Sequence, residues 1–101
     1  MASHRISVTV GSDSIRVDPD TLVMTSQDEV QWAAANARDF SIVFDTHTVF
    51  GQRELSPAVA KSRQRPRVKG RFKYTVISSD NPNLQLDPVI IIEDPPSVVK
   101  P

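Results

Sequence analysis

Seven cations stand at alternate positions of one short stretch: Lys61, Arg63, Arg65, Arg67, Lys69, Arg71 and Lys73. They are seven of the 12 basic residues in the chain, and no acid occurs between 61 and 73. Side chains alternate sides along an extended backbone, so in that conformation all seven project from one side. Guanidinium forks pair with carboxylates and phosphates alike. The comb therefore suits an acidic protein partner, an anionic surface or nucleic acid. Nucleic acid is the least favoured of these, because no exposed aromatics are expected among the charges to stack bases. A plain structural reading stands beside the binding one. Ser62, Gln64 and Pro66 are not apolar, so the stretch offers no face to bury before Val68. It would then be an exposed loop leading into an edge strand, where charge and proline block unwanted pairing.

Other chemistries find little support. His47 lies in Asp45-Thr46-His47-Thr48, a polar loop sequence with no nucleophile motif anywhere to serve it. His4 sits beside an N-terminus expected to fray. Asp18 and Asp20 flank Pro19 as turn residues do, and Asp28-Glu29 and Glu93-Asp94 read as strand-end charges. Calcium would require oxygen ligands more closely clustered than these. The three glycines, at 11, 51 and 70, form no phosphate-cradling loop, and there is no cysteine. Catalytic, cofactor-binding and metal residues are accordingly expected to be none, and the chain is not expected to be an enzyme.

The elements that would position the cations are strands. At 101 residues the chain is one domain, large enough to bury a core without staples. Ile6, Val8 and Val10 alternate with polar residues, as do Ile15 and Val17, then Val30, Trp32 and Ala34, then Phe40, Ile42 and Phe44, then Phe72, Tyr74 and Val76. Thr21–Thr25 is β-branched and apolar. The last strand carries Leu84, Leu86, Val89, Ile90, Ile91 and Ile92, and its continuous apolar run predicts burial on both faces, with Pro88 marking a bulge or edge. Trp32 falls on an apolar face and is expected in the core. Turn residues separate the segments, and Ser56-Pro57-Ala58-Val59-Ala60 suits the start of a short helix. About seven short strands and no long amphipathic helix predict an all-β sandwich over 1–94, followed by a Pro-rich tail over 95–101.

The order of three segments resembles the cupredoxin-like family. Asp18-Pro19-Asp20-Thr21-Leu22-Val23 with Asp28-Glu29-Val30-Gln31-Trp32 is similar to its opening strands, Arg38 to Phe44 to its "xPHxVxF" segment, and Gly70 to Val76 to its "GxYxYxC" segment. The resemblance spans about residues 5 to 94 and implies a Greek-key β-sandwich, with an immunoglobulin-like sandwich as the alternative. In copper-binding members the histidine of the second segment and the cysteine of the third are ligands, and a histidine and a methionine follow. Here Phe40 and Val76 hold the first two positions, and neither histidine nor methionine follows Val76. A blue-copper centre requires two imidazoles and a thiolate. The resemblance therefore implies a copper-free member whose vacated site Phe40 and Val76 fill with hydrocarbon.

Zero formal net charge favours no partner by itself. The expectation is a non-catalytic protein-interaction or structural module, with polyanion binding through 61–73 as the alternative. An unidentified protein partner and homo-oligomerisation both fit, and no window is apolar enough for a membrane span. Without an apolar leader at its start the chain reads as cytoplasmic; a leader on a longer natural chain would make it exported.

Overall fold

A computed structural model describes residues 2–36 and 38–95, so the tail expected over 95–101 lies, from residue 96 onward, outside the described residues. The strands form where apolar and polar residues alternate. They are β1 (Ser3–Val10), β2 (Ile15–Asp18), β3 (Thr21–Thr25), β4 (Glu29–Ala34), β5 (Phe40–Phe44), β6 (Glu54–Leu55), β7 (Gly70–Ser78), β8 (Gln85–Leu86) and β9 (Val89–Glu93), with one short helix, α1 (Pro57–Lys61). Seven of these strands have four residues or more and two have only two, which matches the expected framework.

Two sheets pack face to face. The smaller has the order β2-β1-β4 and the larger β3-β9-β7-β5-β6, with β8 also on β7. The chain passes from the smaller sheet to the larger at Asp18-Pro19-Asp20, where the Asp18–Pro19 peptide is cis. It returns through the turn before β4. These crossings make β1 parallel to β4 and β3 parallel to β9, while β7 runs antiparallel to β9 and β5, and β5 antiparallel to β6.

The inward faces are those the alternation marks. Ile6, Val8, Val10, Val30, Trp32, Phe40, Ile42, Phe44 and Val76 are all buried. Each such side chain contributes roughly 1.5–3 kcal/mol by leaving water. At the centre Trp32 and Tyr74 meet edge to face at 5.5 Å, and Phe44 stacks on Tyr74 at 5.4 Å. Trp32 Nε1–H donates to the Tyr74 hydroxyl at 3.2 Å, so both polar ends are satisfied inside the core.

Three expectations change. The apolar run after Leu84 splits into β8 and β9, because Pro88 has no N–H for the ladder. Val89 and Ile91 lie half-buried on the outer face of the larger sheet, since no further layer covers that face among the described residues. His4 does not fray: it lies within β1, opposite Val30 of β4. Between β5 and β7 the chain forms β6, α1 and an isolated bridge from Gln64 to Val30. Ser56 caps α1 by accepting from the Val59 N–H at 3.4 Å, and Pro57 occupies its first turn.

Candidate functional site

The cations at 61–73 do not lie on one strand. Lys61 ends α1, and Arg63 and Arg65 flank Gln64, whose backbone exchanges hydrogen bonds with Val30 at 2.7 and 2.9 Å. The Arg67 backbone N–H donates to the Val49 carbonyl at 2.8 Å. Lys69 leads into β7, and Arg71 and Lys73 stand on the outer face of that strand. The chain therefore runs from the helix along the margin of the smaller sheet and into the larger one.

The alternation survives this path. All seven basic side chains are exposed, while Pro66 is buried and Gln64 and Val68 are half-buried. The expectation that nothing turns inward before Val68 is corrected: Pro66 goes inside, and Gln64 anchors the segment through its backbone and through Nε2, which donates to the Val59 carbonyl at 2.9 Å. These even-numbered anchors hold the odd positions toward solvent.

Acids neutralise only part of the ridge. Lys61 pairs with Asp39 and Lys69 with Asp94, each at 2.7 Å. Both pairs are exposed and contribute little to stability. Among the described residues no carboxylate lies within 4.0 Å of Arg63, Arg65, Arg67, Arg71 or Lys73. The Arg67 guanidinium covers Gly51: its Cζ is 2.8 Å from where a Cβ would stand. That exposed side-chain end could swing aside for a Cβ; it is the φ of 85° at Gly51 that favours glycine there. A groove of about 370 Å³ opens beside the start of the ridge, lined by Arg5, Gln31, Ala33, Ala34 and Lys61.

The positions where the resemblance implies copper ligands hold no donor atoms. Phe40 and Val76 are both 0% exposed, and Ile42 stands opposite Val76 across β5 and β7. Beyond them the chain closes on itself: the buried Ser78 accepts from the Asn81 N–H at 3.2 Å, and the Ser78 N–H donates to the Leu84 carbonyl at 3.2 Å. Neither histidine can serve, because His4 is committed to Asp28 and His47 is exposed in the turn after β5. No buried side-chain nitrogen or oxygen among the described residues lacks a partner, so nothing polar is aimed at the vacated position. These residues do not fit a copper ion.

Asp28 is the polar residue that sequence reading undervalued. It is buried, and its carboxylate accepts from the Ala2 N–H at 2.9 Å, the Thr25 N–H at 3.0 Å and His4 Nε2–H at 2.9 Å. The His4 bond, then the Thr25 N–H, hold its carboxyl far below the usual carboxylate range, against the opposing effect of burial. Its own N–H donates to the Thr25 carbonyl at 3.0 Å, so Asp28 closes the turn between the sheets. A Thr-x-x-Asp spacing was the only local signal. A second groove, of about 420 Å³, runs between β2 and the β8–β9 junction and carries Arg16, Asp18, Asp20 and Asp87. No group of three His, Cys, Asp or Glu suited to a metal occurs among the described residues.

A two-sheet sandwich with these crossings defines the cupredoxin fold, here with hydrocarbon at the ligand positions. Solved structures agree. A pseudoazurin from Sinorhizobium meliloti superposes with a TM-score of 0.59 at 12% identity, covering 94% of this chain and 76% of that one. Two amicyanin variants, one described in its reduced Cu(I) form, superpose with TM-scores of 0.53 and 0.54 at 16% identity, covering 87% of this chain and 81% of theirs. At these identities the likeness establishes the fold alone. No family model and no curated protein matches the chain.

Proposed function

We propose that this domain is a non-catalytic, copper-free cupredoxin-like module that engages an acidic protein partner through the ridge from Lys61 to Lys73. The observation that carries the copper-free part is the burial of Phe40 and Val76 where the fold's relatives are expected to hold ligands. Five exposed cations that have no carboxylate neighbour among the described residues support the binding part. Charge-assisted pairing with an arginine fork is geometrically specific, and a ridge whose backbone is anchored by the buried Pro66 and the half-buried Gln64 and Val68 loses little backbone freedom on binding.

Polyanion binding is the second reading, favoured by the same unpaired charges. It is weakened for nucleic acid because every aromatic residue is buried or half-buried, which leaves no stacking platform. No helix of the described residues is long and apolar enough to cross a membrane.

Two measurements test the proposal. Calorimetric titration with Cu(I), Cu(II) and Zn(II) should give no stoichiometric tight complex; such a complex would overturn the reading of Phe40 and Val76. Binding of a poly-glutamate peptide, of heparin and of a labelled oligonucleotide should then be compared across salt concentrations, for the native chain and for the variant Arg63→Glu/Arg65→Glu/Arg71→Glu. Salt-sensitive poly-glutamate binding lost in the variant is expected. Heparin or oligonucleotide binding without poly-glutamate binding would favour the polyanion reading instead.

A further inference from the structure

The edges of the two sheets are guarded unequally. β6 is two residues long and α1 follows it. The edge of β4 is bridged by Gln64. β3, at the other end of the larger sheet, reads Thr21-Leu22-Val23-Met24-Thr25, with no charge and no proline. It also carries Val23, which at 51% exposure is the exposed large hydrophobic side chain among the described residues.

The hydrogen-bond parity of β3 shows which groups remain open. The Val89 N–H donates to the Asp20 carbonyl and the Ser26 N–H to the Glu93 carbonyl, so the even positions of β3 face β9. The N–H and C=O of Thr21, Val23 and Thr25 therefore point away from the sheet. Thr25 is already satisfied on that side: its N–H donates to the Asp28 carboxylate and its carbonyl accepts from the Asp28 N–H, both at 3.0 Å. Thr21 and Val23 have no backbone partner on that side among the described residues. The open edge is thus bounded by Pro19, which has no N–H, and by the Asp28 closure.

We infer that β3 is a self-association edge, on which a second copy of this chain pairs antiparallel about a two-fold axis at Leu22. In that register Thr21 lies opposite Val23 of the other copy. Their N–H and C=O groups form four backbone bonds and leave none of the open groups unpaired. The ends match too: Thr25, closed by Asp28, falls opposite the other copy's Pro19, so neither end requires a further bond. No like charges meet, because β3 has none and the two Asp20 residues lie at opposite ends of the pairing. Val23 of each copy covers part of the other, extending an outer apolar row that continues through Ile91. It is the match of closed ends, Thr25 with its Asp28 against Pro19, that fits a second copy of this strand. The inference is independent of what the basic ridge binds.

The test is amide hydrogen exchange and sedimentation equilibrium from low micromolar to millimolar concentration. The expected result is a mass rising toward that of a dimer, with protection of the Thr21 and Val23 amides rising in step. Val23→Pro removes only the outward N–H, and an edge strand tolerates proline. It should abolish association without lowering Tm. Val23→Lys, a surface change, should do the same by charge repulsion. A chain that stays monomeric at millimolar concentration overturns the inference, including when an added peptide occupies the edge. So does a dimer that persists in both variants, or one in which the Thr21 and Val23 amides gain no protection.

Discussion

Replacing Asp28 by alanine should be the most damaging change to any polar side chain in this domain. The carboxylate accepts three hydrogen bonds, from Ala2, Thr25 and His4, and is almost fully buried. A hydrogen bond to a charged acceptor contributes about 1.5–3 kcal/mol, and a buried donor left unpaired costs about 1–3 kcal/mol. The Thr25 N–H loses its acceptor next to buried chain, whereas Ala2 and the partly exposed His4 regain water. The net loss is therefore about 2–3 kcal/mol rather than the sum of all three. For a domain of this size that lowers Tm by roughly 10–20 °C. The acid side follows the same group. Its pKa is lower in the folded state than the ordinary 3.8, so its stabilisation is present above that value and is lost as pH falls below it. Calorimetric melts of the native chain and Asp28→Ala from pH 7 to low pH should converge as acidity rises. A variant melting within a degree or two of the native chain at pH 7, or a difference that does not shrink in acid, would refute this account of Asp28.

Trp32→Phe leaves the Tyr74 hydroxyl without its indole donor and should cost about 1–2 kcal/mol, measured by urea unfolding at pH 7. Burial pushes the Tyr74 hydroxyl up to about 12, so the folded state gains stability that is complete below pH 10 and is lost as pH rises toward 12. Absorbance at the phenolate band should show no ionisation of this tyrosine, the only one in the chain, before that range or before unfolding. Gly51→Ala forces a side chain into φ of 85° and against the Arg67 guanidinium, and should destabilise by about 1–2 kcal/mol. Because the exposed Arg67 end can swing aside, adding Arg67→Ala should recover little of that loss, and a double-mutant cycle should read near-additivity.

The strands were legible because period-two alternation is local. Ile6, Val8 and Val10, or Phe40, Ile42 and Phe44, announce their buried face within five residues of chain. Ser56 and Pro57 announced α1 equally locally. The region around Gln64 was not legible, because its order comes from Val30, far back in the chain, and not from any pattern of its own. Val89 and Ile91 misled for the opposite reason. An apolar run signals two covered faces, but coverage depends on whether another layer exists.

What the residues determined by themselves was chemistry and strand identity: no thiolate, the apolar Phe40 and Val76 where the cupredoxin-like resemblance implies ligands, Trp32 on an apolar strand face, and cations at every odd position from 61 to 73. Composition and alternation are properties of the chain, and folding cannot change them. Tertiary structure alone decided which polar groups meet. It brought His4 and Ala2 to Asp28, and among the described residues it gave Lys61 and Lys69 their acids while leaving five neighbours without, and left Thr21 and Val23 on an open edge. Such contacts join residues distant in sequence, and their partners are chosen by how two sheets stack and cross, a geometry that no single segment encodes.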